Sequence, residues 1–533
     1  TILRELGNLK EAELYTRKAI TINPKSTNAY LNLGAILRDL GNLKEAELYT
    51  RKAIKLEPNF AVNHYNLGNT LKDLGKLEEA FESSKMALEK DPNNQLTISQ
   101  LINISSKLSL WSDTEKYSKL LSNIDINQQC FNPFTICHVK DEPLLYLQRA
   151  KNFYNKSLKL QSSNVNYIKK EKIHIGYFSA DFKAHAVMYL ISRILELHDD
   201  SKFKIFIYSF DIKEDEYTQK LKKETFNFRS IYAKSDVEAV SIARNDQLDI
   251  AIDLMGYTKN SRMNIFSYRV APIQVSYLGL EATTGSSEID YLIADKITVP
   301  KEYSKFYSEK IIYMPNCYMP FNNQRKISDK TFYRSDFNLP EDSFVLAAFH
   351  GSHKITPREI SSWSRVLKEV ANAILWIKEP KQIAKNNLLR LFYDQGIDSN
   401  RIYFAPRMES IEEHLSRHSC ADLFIDTFSF NAHSTAMDSL WCELPIVTMM
   451  GKSFISRIAG SLLTNLGLTE LIAQTSNEYE DIIIRLANSP DLMSNVKLKL
   501  KEAKKNNILF NSEKYTQDLE NVYERLINDL QNK

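Results

Sequence analysis

A short polar segment after a predicted buried strand holds the residues best suited to binding an anion. The chain reads DTFSFNAHSTAMD over 426–438, where a strand is predicted to end at Asp426 and His433-Ser434-Thr435 to open a helix. Backbone N–H groups at a helix start, with two hydroxyls and an imidazole beside them, can bind a phosphate group. Asp438, one turn further on, could accept hydrogen bonds from sugar hydroxyls. The alternative is a plain serine N-cap beside an unrelated histidine.

Three other segments that follow predicted strands carry residues with possible chemistry. Lys354, in FHGSHKITP, could neutralise a leaving diphosphate as a point charge. His185, in ADFKAH, could act as a base or orient a substrate hydroxyl. The glycines of GLEATTG, residues 279–285, would let the backbone approach a ligand closely. Each has an ordinary alternative, namely a surface lysine, a loop histidine and a turn without a ligand.

The elements that must position these residues are two series of short β-type runs alternating with helical patterns. Such alternation predicts parallel sheets covered by helices on both faces. Two doubly wound units in tandem usually meet across a cleft, with ligands at the carboxyl ends of their strands. A polar stretch, 322–334, separates the series, and a final helix is predicted over 512–530. The predicted strands are 173–181, 204–210, 248–256, 271–279 and 289–295, then 343–350, 373–379, 401–406, 422–428 and 445–450.

The N-terminal part is repetitive, with a period of 34 residues shared by segments 7–24, 41–58 and 75–92. That is the length of a tetratricopeptide (TPR) helix–turn–helix unit, and such units stack into an α–α superhelix that binds another polypeptide. Because the chain begins within a repeat, we expect further repeats before it. Residues 95–170 keep an apolar spacing but lose the period, so we expect irregular helices that cap the array and bridge to the next domain.

Composition narrows the classes of protein. The chain has 533 residues and a formal net charge of +3, which gives no case for nucleic acid binding. Five cysteines form no CxxC pair, which favours a reducing compartment, the cytoplasm, and argues against a zinc site. No apolar run is long enough for a membrane span and no signal peptide is visible. With no Asp-x-Asp motif, we expect neither a bound metal nor a cofactor.

Taken with the repeats, the segments IGYFSADFKAH, MGYTKNSR, FHGSHKITP and DTFSFNAHSTAMD resemble the TPR-containing protein O-GlcNAc transferase family, in a compact bacterial-type form. The resemblance extends over residues 1–530. It implies TPR repeats followed by an α/β GT-B fold of two Rossmann-like domains. The implied divisions are repeats 1–94, helical cap and linker 95–170, N-terminal catalytic domain 171–325, nucleotide-sugar-binding C-terminal catalytic domain 326–511, and C-terminal helix 512–533.

The resemblance also implies site residues, matched position by position. The catalytic pair would be His185 and Lys354. The other roles it implies are as follows: His433, Ser434 and Thr435 on the diphosphate, Asp438 on the ribose, His414 on uracil with Arg417 nearby, Thr283, Thr284 and Gly285 beside the donor sugar, and Asn32 and Asn66 on the backbone of a bound peptide.

The activity implied is a metal-independent inverting transfer of N-acetylglucosamine, or a related sugar, from a UDP-sugar to Ser or Thr of a protein or peptide in the TPR groove. Departures from the family bear on the donor sugar: Glu281 stands in an altered glycine loop, Ser434 replaces a threonine and Asp249 replaces a histidine. Two alternatives stay open, a Spindly-type protein O-fucosyltransferase using GDP-fucose and an inactive TPR scaffold. His433 favours the uridine nucleotide. The oligomeric state and the acceptor are not indicated by the sequence.

Overall fold

The computed structural model describes residues 2–5, 8–157, 165–211, 214–224, 227–506 and 508–532. An array of antiparallel helices comes first, and two α/β units follow. The helices of the N-terminal part are α1 (Ile2–Glu5), α2 (Leu9–Ile22), α3 (Thr27–Asp39), α4 (Leu43–Leu56), α5 (Ala61–Asp73), α6 (Leu77–Lys90), α7 (Gln95–Lys107), α8 (Trp111–Ser122) and α9 (Pro143–Ser157).

The paired helices of the array touch through small residues. A Cβ built on Gly34 would lie 2.4 Å from Thr50 Oγ1, and one built on Gly68 would lie 2.6 Å from Ser84 Oγ. Glycine at this repeat position therefore lets α3 approach α4, and α5 approach α6, more closely than any side chain would permit. The predicted helix–turn–helix repeats are confirmed.

The expectation of irregular helices after the repeats is wrong for 95–122. Helices α3, α5 and α7 begin at Thr27, Ala61 and Gln95, and α8 begins at Trp111 where α4 and α6 begin at Leu43 and Leu77. The period of 34 residues thus continues through α7 and α8, although the repeat motif is no longer visible in the sequence. Apolar residues at helical spacing suffice to pack a further pair, and this pair covers the face that the last repeat would otherwise expose. Short 3₁₀ turns and α9 follow.

The first α/β unit contains a parallel sheet in the order β3-β2-β1-β4-β5-β6-β7 among the described residues. Its central strands are buried along their whole length, as strands covered by helices on both faces must be. Its elements are β1 (Ile173–Ser179), α10 (Ala186–Leu197), β2 (Phe203–Ser209), α11 (Glu216–Lys223), β3 (Asn227–Ser230), α12 (Asp236–Asn245), β4 (Ile250–Asp253), α13 (Asn264–Ser267), β5 (Ile273–Ser276), β6 (Tyr291–Ala294) and β7 (Lys310–Tyr313).

The second unit contains, over the described part of the chain, a parallel sheet in the order β10-β9-β8-β11-β12-β13. Its elements are β8 (Phe344–Ala348), α14 (Pro357–Glu369), β9 (Ala373–Lys378), α15 (Gln382–Asp394), β10 (Ile402–Ala405), α16 (Ile411–Ser416), β11 (Leu423–Ile425), α17 (Ser434–Trp441), β12 (Ile446–Met449), α18 (Ile458–Asn465), β13 (Ile472–Ala473), α19 (Ser476–Asn488), α20 (Pro490–Asn506) and α21 (Ser512–Gln531).

Each sheet reverses its strand order at one point, which lies between β1 and β4 in the first unit and between β8 and β11 in the second. The carboxyl ends of these strands are where doubly wound folds bind ligands. The prediction of a helical superhelix followed by two Rossmann-like units is confirmed. Strands β3, β7 and β13 escaped the sequence analysis because they are short and lie at sheet edges, where burial imposes little pattern.

The C-terminal helix α21 returns to the first unit. The hydroxyl of Tyr523 lies 3.1 Å from that of Tyr177 in β1, and the hydroxyl of Tyr515 lies 2.5 Å from that of Tyr277. These buried contacts fasten the two units together, so the cleft between them has a fixed base. Among the described residues, no helix is both long and apolar enough to cross a lipid bilayer.

Candidate active site

Lys354 and His433 meet at one aromatic ring. Lys354 ends a 3₁₀ turn, Ser352–Lys354, that follows β8, and its Nζ donates to the carbonyl oxygen of Asn431 at 2.8 Å. The same ammonium lies 3.7 Å from the ring centroid of Phe430, and the His433 ring lies 5.0 Å from that ring. A cation over an aromatic face is attracted by the ring quadrupole. The structure therefore brings together the lysine and the histidine that the sequence placed after different strands.

Asp426 organises the loop between β11 and α17. Its buried carboxylate accepts hydrogen bonds from the backbone N–H groups of Thr427 at 2.8 Å and Ala432 at 2.7 Å, and from Thr448 Oγ1 at 2.7 Å. Burial raises the pKa of Asp426. Burial also lowers the pKa of Lys354 to about 8, although attraction by Asp426 opposes this effect. The ammonium is thus partly desolvated, which strengthens its interaction with an anion.

The start of α17 is free to receive an anion. The N-cap residue is His433, whose side chain makes no capping hydrogen bond. This excludes the plain serine N-cap, because Ser434 is already the first helical residue. Backbone N–H groups in the first helical turn have no partner within a helix. The hydroxyls of Ser434 and Thr435, both half-buried, make no hydrogen bond to any residue in the described part of the chain.

Glu281 of the first unit reaches across to His433. Its Oε2 lies 3.3 Å from His433 Nδ1, and its Oε1 accepts from the hydroxyl of Tyr318 at 3.3 Å. The carboxylate is buried and lies near enough to Lys354 to oppose the lowering of its pKa. In the sequence, Glu281 stands out only as a departure in the glycine loop. That departure was the signal that could have pointed to this contact.

Asp438 is held by an arginine that the sequence analysis missed. Arg325, in the stretch between the units, donates from Nη1 to Asp438 Oδ1 at 2.5 Å, and both side chains are only 7% exposed. Burial raises the pKa of Asp438, and the guanidinium opposes that shift. Arg325 Nη2 is buried without a hydrogen-bond partner, so the guanidinium has a donor to spare. Nothing in the local sequence of Arg325 indicates this role.

His414 lies near Asp438, whereas Arg417 packs against the core of the second unit. His414 Nε2 is 3.9 Å from Asp438 Oδ2, and burial lowers the pKa of His414 to about 2, so its ring is neutral and able to stack on a base. The buried Arg417 lies 4.5 Å from the ring centroid of Phe349 and donates to the carbonyl oxygen of Pro406 at 2.5 Å. Arg417 is therefore committed to the core of the second unit.

His185 lies at the switch point of the first unit, directly before α10. Its Nδ1 is 3.3 Å from the backbone nitrogen of Val187, which it caps, and 3.5 Å from Asp181 Oδ2. The side chain is 43% exposed, so its other nitrogen can meet a ligand. Within the described ranges, no hydrogen bond or ion pair joins His185 to the second unit. Asp249, by contrast, lies at the amino end of β4, where it bonds Lys170 at 2.6 Å, away from the cleft.

The loop with Thr283, Thr284 and Gly285 is buried and occupied by protein partners. Thr283 Oγ1 donates to Glu309 Oε2 at 2.7 Å, and the backbone N–H of Thr284 donates to Glu309 Oε1 at 2.6 Å. Gly285 has a φ of +68°, and a Cβ on it would lie 2.3 Å from the backbone carbon of Ala150 in α9. The threonine hydroxyls therefore hold the loop in place through Glu309. This arrangement fits the alternative given for residues 279–285, a turn that binds no ligand.

Asn32 and Asn66 occupy the same position in successive repeats and both are half-buried. Neither side-chain amide makes a hydrogen bond to another described residue, so both are free to bind a peptide backbone. The residue at the next repeat position is Gln100, which is buried and donates to the carbonyl oxygen of Tyr65 at 3.5 Å. The row of free amides therefore ends at Asn66.

The arrangement as a whole is an anion site at the carboxyl edge of the second sheet. It combines one ammonium, one imidazole, two hydroxyls and the start of a helix, which together suit a phosphate or diphosphate. In the part of the chain that the structure describes, no group of three or more His, Cys, Asp or Glu side chains is arranged to hold a metal ion.

Known protein families match both parts of the chain, the helical repeats and the two α/β units. A family model described as glycosyl transferase family 41 matches residues 142–329 and 324–519. Models of the tetratricopeptide repeat match residues 1–26, 27–60 and 49–82. The chain is 33% identical over 367 residues to a probable UDP-N-acetylglucosamine–peptide N-acetylglucosaminyltransferase, SEC, of Arabidopsis thaliana. It is 29% identical over 364 residues to a protein of Petunia hybrida with the same description, SPINDLY.

These alignments cover 67% and 66% of the chain but only 37% and 38% of the two plant proteins, so the chain spans well under half of their length. A solved structure of a lysine-to-methionine mutant of the Thermobaculum terrenum O-GlcNAc transferase is similar over 99% of this chain and 96% of that one. The TM-score is 0.74 and the sequence identity 24%, a likeness that concerns the fold.

Proposed function

This chain belongs to glycosyl transferase family 41, and from that premise we propose that it transfers a sugar from a UDP-sugar to Ser or Thr hydroxyls of proteins recruited by its TPR repeats. N-acetylglucosamine, or a related sugar, is the group transferred. The description of both plant relatives as probable UDP-N-acetylglucosamine–peptide N-acetylglucosaminyltransferases supports this choice. The cytoplasm is the proposed location, in keeping with five cysteines that are all unpaired.

The observation that carries the proposal is the meeting of Lys354 and His433 at Phe430, beside the uncapped start of α17. A diphosphate leaving group needs charge and hydrogen bonds where its negative charge grows in the transition state. A partly desolvated ammonium and the first N–H groups of a helix supply both. The neutral His414 ring, near Asp438, supports a place for the base and the ribose on the same unit.

The proposed transfer inverts the anomeric carbon. The acceptor hydroxyl attacks from the face opposite the diphosphate, the bond to the β-phosphate oxygen breaks, and Lys354 stabilises the charge that the phosphate gains. His185, at the switch point of the first unit, is the group assigned to the acceptor hydroxyl, as base or as positioning residue. The other acceptor for the proton is an oxygen of the donor's own phosphate. The free amides of Asn32 and Asn66 support recruitment of a polypeptide by the repeats.

A thermal-shift screen with UDP, GDP and their sugars tests the nucleotide. We expect UDP and UDP-N-acetylglucosamine to raise the apparent Tm, because a ligand that binds only the folded state at about a hundred times its Kd adds about 2.7 kcal/mol of stability. Selective stabilisation by GDP or GDP-fucose would replace the proposal with the fucosyl alternative. No response to either nucleotide would favour the inactive scaffold.

The affinity for UDP should fall at alkaline pH because of Lys354. Only the protonated ammonium attracts a diphosphate, so binding is retained below the pKa of Lys354, about 8, and is lost as the pH rises through it. From about pH 7.5 to about pH 9 we expect the Kd for UDP to rise about eightfold, measured by isothermal titration calorimetry. The matched control is Lys354→Arg, whose guanidinium stays charged and should remove the pH dependence. An identical alkaline decline in Lys354→Arg would contradict the assignment.

A further inference from the structure

The helical array carries a row of alternating charges along the C-terminal ends of its helices. Arg38-Asp39 ends α3, and Lys72-Asp73 occupies the same position at the end of α5. Arg4, one repeat earlier than Arg38, pairs with Asp39 at 2.6 Å, and Arg38 Nε lies 4.0 Å from Asp73 Oδ2. Each carboxylate thus receives the cation of the preceding repeat. The repeat pattern predicts a third carboxylate at position 107.

Position 107 is a lysine, so the sign of the row reverses there. Lys72 makes no close ion pair with a carboxylate among the described residues, and its Nζ donates to Asn69 Oδ1 at 3.2 Å. Burial lowers the pKa of Lys72 to about 8, attraction by Asp73 opposes this shift, and repulsion by the nearby Lys107 adds to it. Lys107 thus lies close enough to Lys72 to disfavour its charge, at the end of the repeats.

A third lysine comes to the same place from the first α/β unit. Lys259, in the loop after β4, pairs with Asp73 at 3.0 Å and is 73% exposed. Asp39 lies 2.6 Å from Arg4 and 3.6 Å from Arg38, so Asp39 and Asp73 together face five cations. Four of these we call the junction cations: Arg38, Lys72, Lys107 and Lys259. A cation in the last turn of a helix complements the helix dipole, but that role does not require more cations than carboxylates.

The junction cations adjoin the turn that carries Lys354. Ser352, the first residue of that turn, donates from Oγ to the carbonyl oxygen of Lys107 at 2.8 Å. His353, the next residue, packs its ring 5.3 Å from that of His138, whose pKa is lowered by burial and by both Lys107 and Lys354. A chain segment leaving the anion site toward the repeats would therefore meet positive charge.

We infer that the junction cations bind acidic side chains of the acceptor polypeptide, so that the protein selects acceptors with Asp or Glu near the modified Ser or Thr. The occupant follows from charge complementarity, because an excess of cations, of which Arg38, Lys72 and Lys107 are half-buried and Lys259 is exposed, is best offset by incoming carboxylates. The inference rests on the proposed function, since it names the acceptor class of that same site. It also explains why the row of charges changes sign only where the repeats meet the catalytic units.

The test uses the full chain and two fluorescent peptides of equal length with one serine, one flanked by Asp and Glu and the other by Lys. Fluorescence anisotropy at low salt should give tighter binding of the acidic peptide, and added NaCl should weaken it. Lys107→Asp restores the repeat pattern and gives Lys72 a carboxylate, so the fold is expected to persist. The acidic peptide should bind Lys107→Asp about five- to tenfold more weakly than the unaltered chain.

The matched control is Lys55→Asp, the same change of charge at an exposed position near the end of α4, and it should leave the acidic peptide's Kd unchanged. Equal binding of both peptides, or an unchanged Kd in Lys107→Asp, would overturn the inference. The inference would also be overturned if a single-stranded oligonucleotide displaced the acidic peptide as effectively as the unlabelled peptide does. The junction cations would then be a site for phosphate groups. Stabilisation by UDP without any peptide preference would remove this inference alone. A peptide preference without any nucleotide response would instead remove the transferase proposal and leave acidic binding.

Discussion

Replacing Lys354 with alanine is expected to lower kcat by about a hundred- to a thousandfold while the protein stays folded. The ammonium is the charge placed to stabilise the leaving diphosphate, and loss of one such transition-state donor has an effect of that size. Within the described part of the chain, the ammonium of Lys354 donates one hydrogen bond, to the carbonyl oxygen of Asn431, and removing a desolvated charge costs little stability. Release of UDP, followed at saturating donor and acceptor, measures kcat, and the Tm measures folding.

Lys385→Ala is the matched control for this substitution. Lys385 lies on α15 of the same unit and pairs with Glu379 at 2.9 Å near the surface, so its loss should change neither kcat nor Tm appreciably. Full activity in Lys354→Ala would remove the leaving-group role. A large fall in Tm would show instead that the lysine stabilises the loop after β11.

Replacing Arg325 with alanine should lower the free energy of unfolding by about 3 to 5 kcal/mol, because it leaves a buried carboxylate without its partner. Asp438 and Arg325 are each only 7% exposed, and their atoms lie 2.5 Å apart. Burial already raises the pKa of Asp438, so the unpaired side chain would take up a proton or draw in water. Urea unfolding measures the loss. UDP affinity should fall as well, since Asp438 is the predicted ribose contact.

The double variant Arg325→Met with Asp438→Leu separates the cost of an orphaned charge from the loss of packing. Replacing both partners by apolar side chains should recover most of the stability, to within about 1 kcal/mol of the unaltered chain. Nucleotide affinity should stay low in this variant. Arg51→Ala is the control for an exposed ion pair, because Arg51 and Glu79 pair with side chains that are 45% and 53% exposed. This substitution should lower the free energy of unfolding by about 0.5 kcal/mol. If Arg325→Ala alone lowered the free energy of unfolding by less than about 1 kcal/mol, the pair would behave as a solvent-exposed ion pair.

The sequence by itself determined the helical repeats, most of the strands and the edge at which the anion site lies. A period of 34 residues requires stacked helix pairs, and alternating strands and helices require parallel sheets. Lys354 and His433 each follow a predicted strand, and β8 and β11 are neighbours at the switch point of the second sheet. The sequence therefore predicts that both residues lie at the carboxyl edge of one sheet, and the pairing of β8 with β11 brings them side by side. The repeats and the alternation of strands and helices are local features, because backbone geometry and neighbouring residues in the chain decide them.

Only the tertiary structure decided which side chains pair across long separations. Arg325 meets Asp438 from the stretch between the units, Glu281 crosses the cleft to His433, and Glu309 occupies the hydroxyls of Thr283 and Thr284. The continued period through α7 and α8 was hidden because its motif had faded while its packing had not. Such pairings depend on how the units dock and on which buried charges must then be neutralised, and neither is written in the spacing of neighbouring residues.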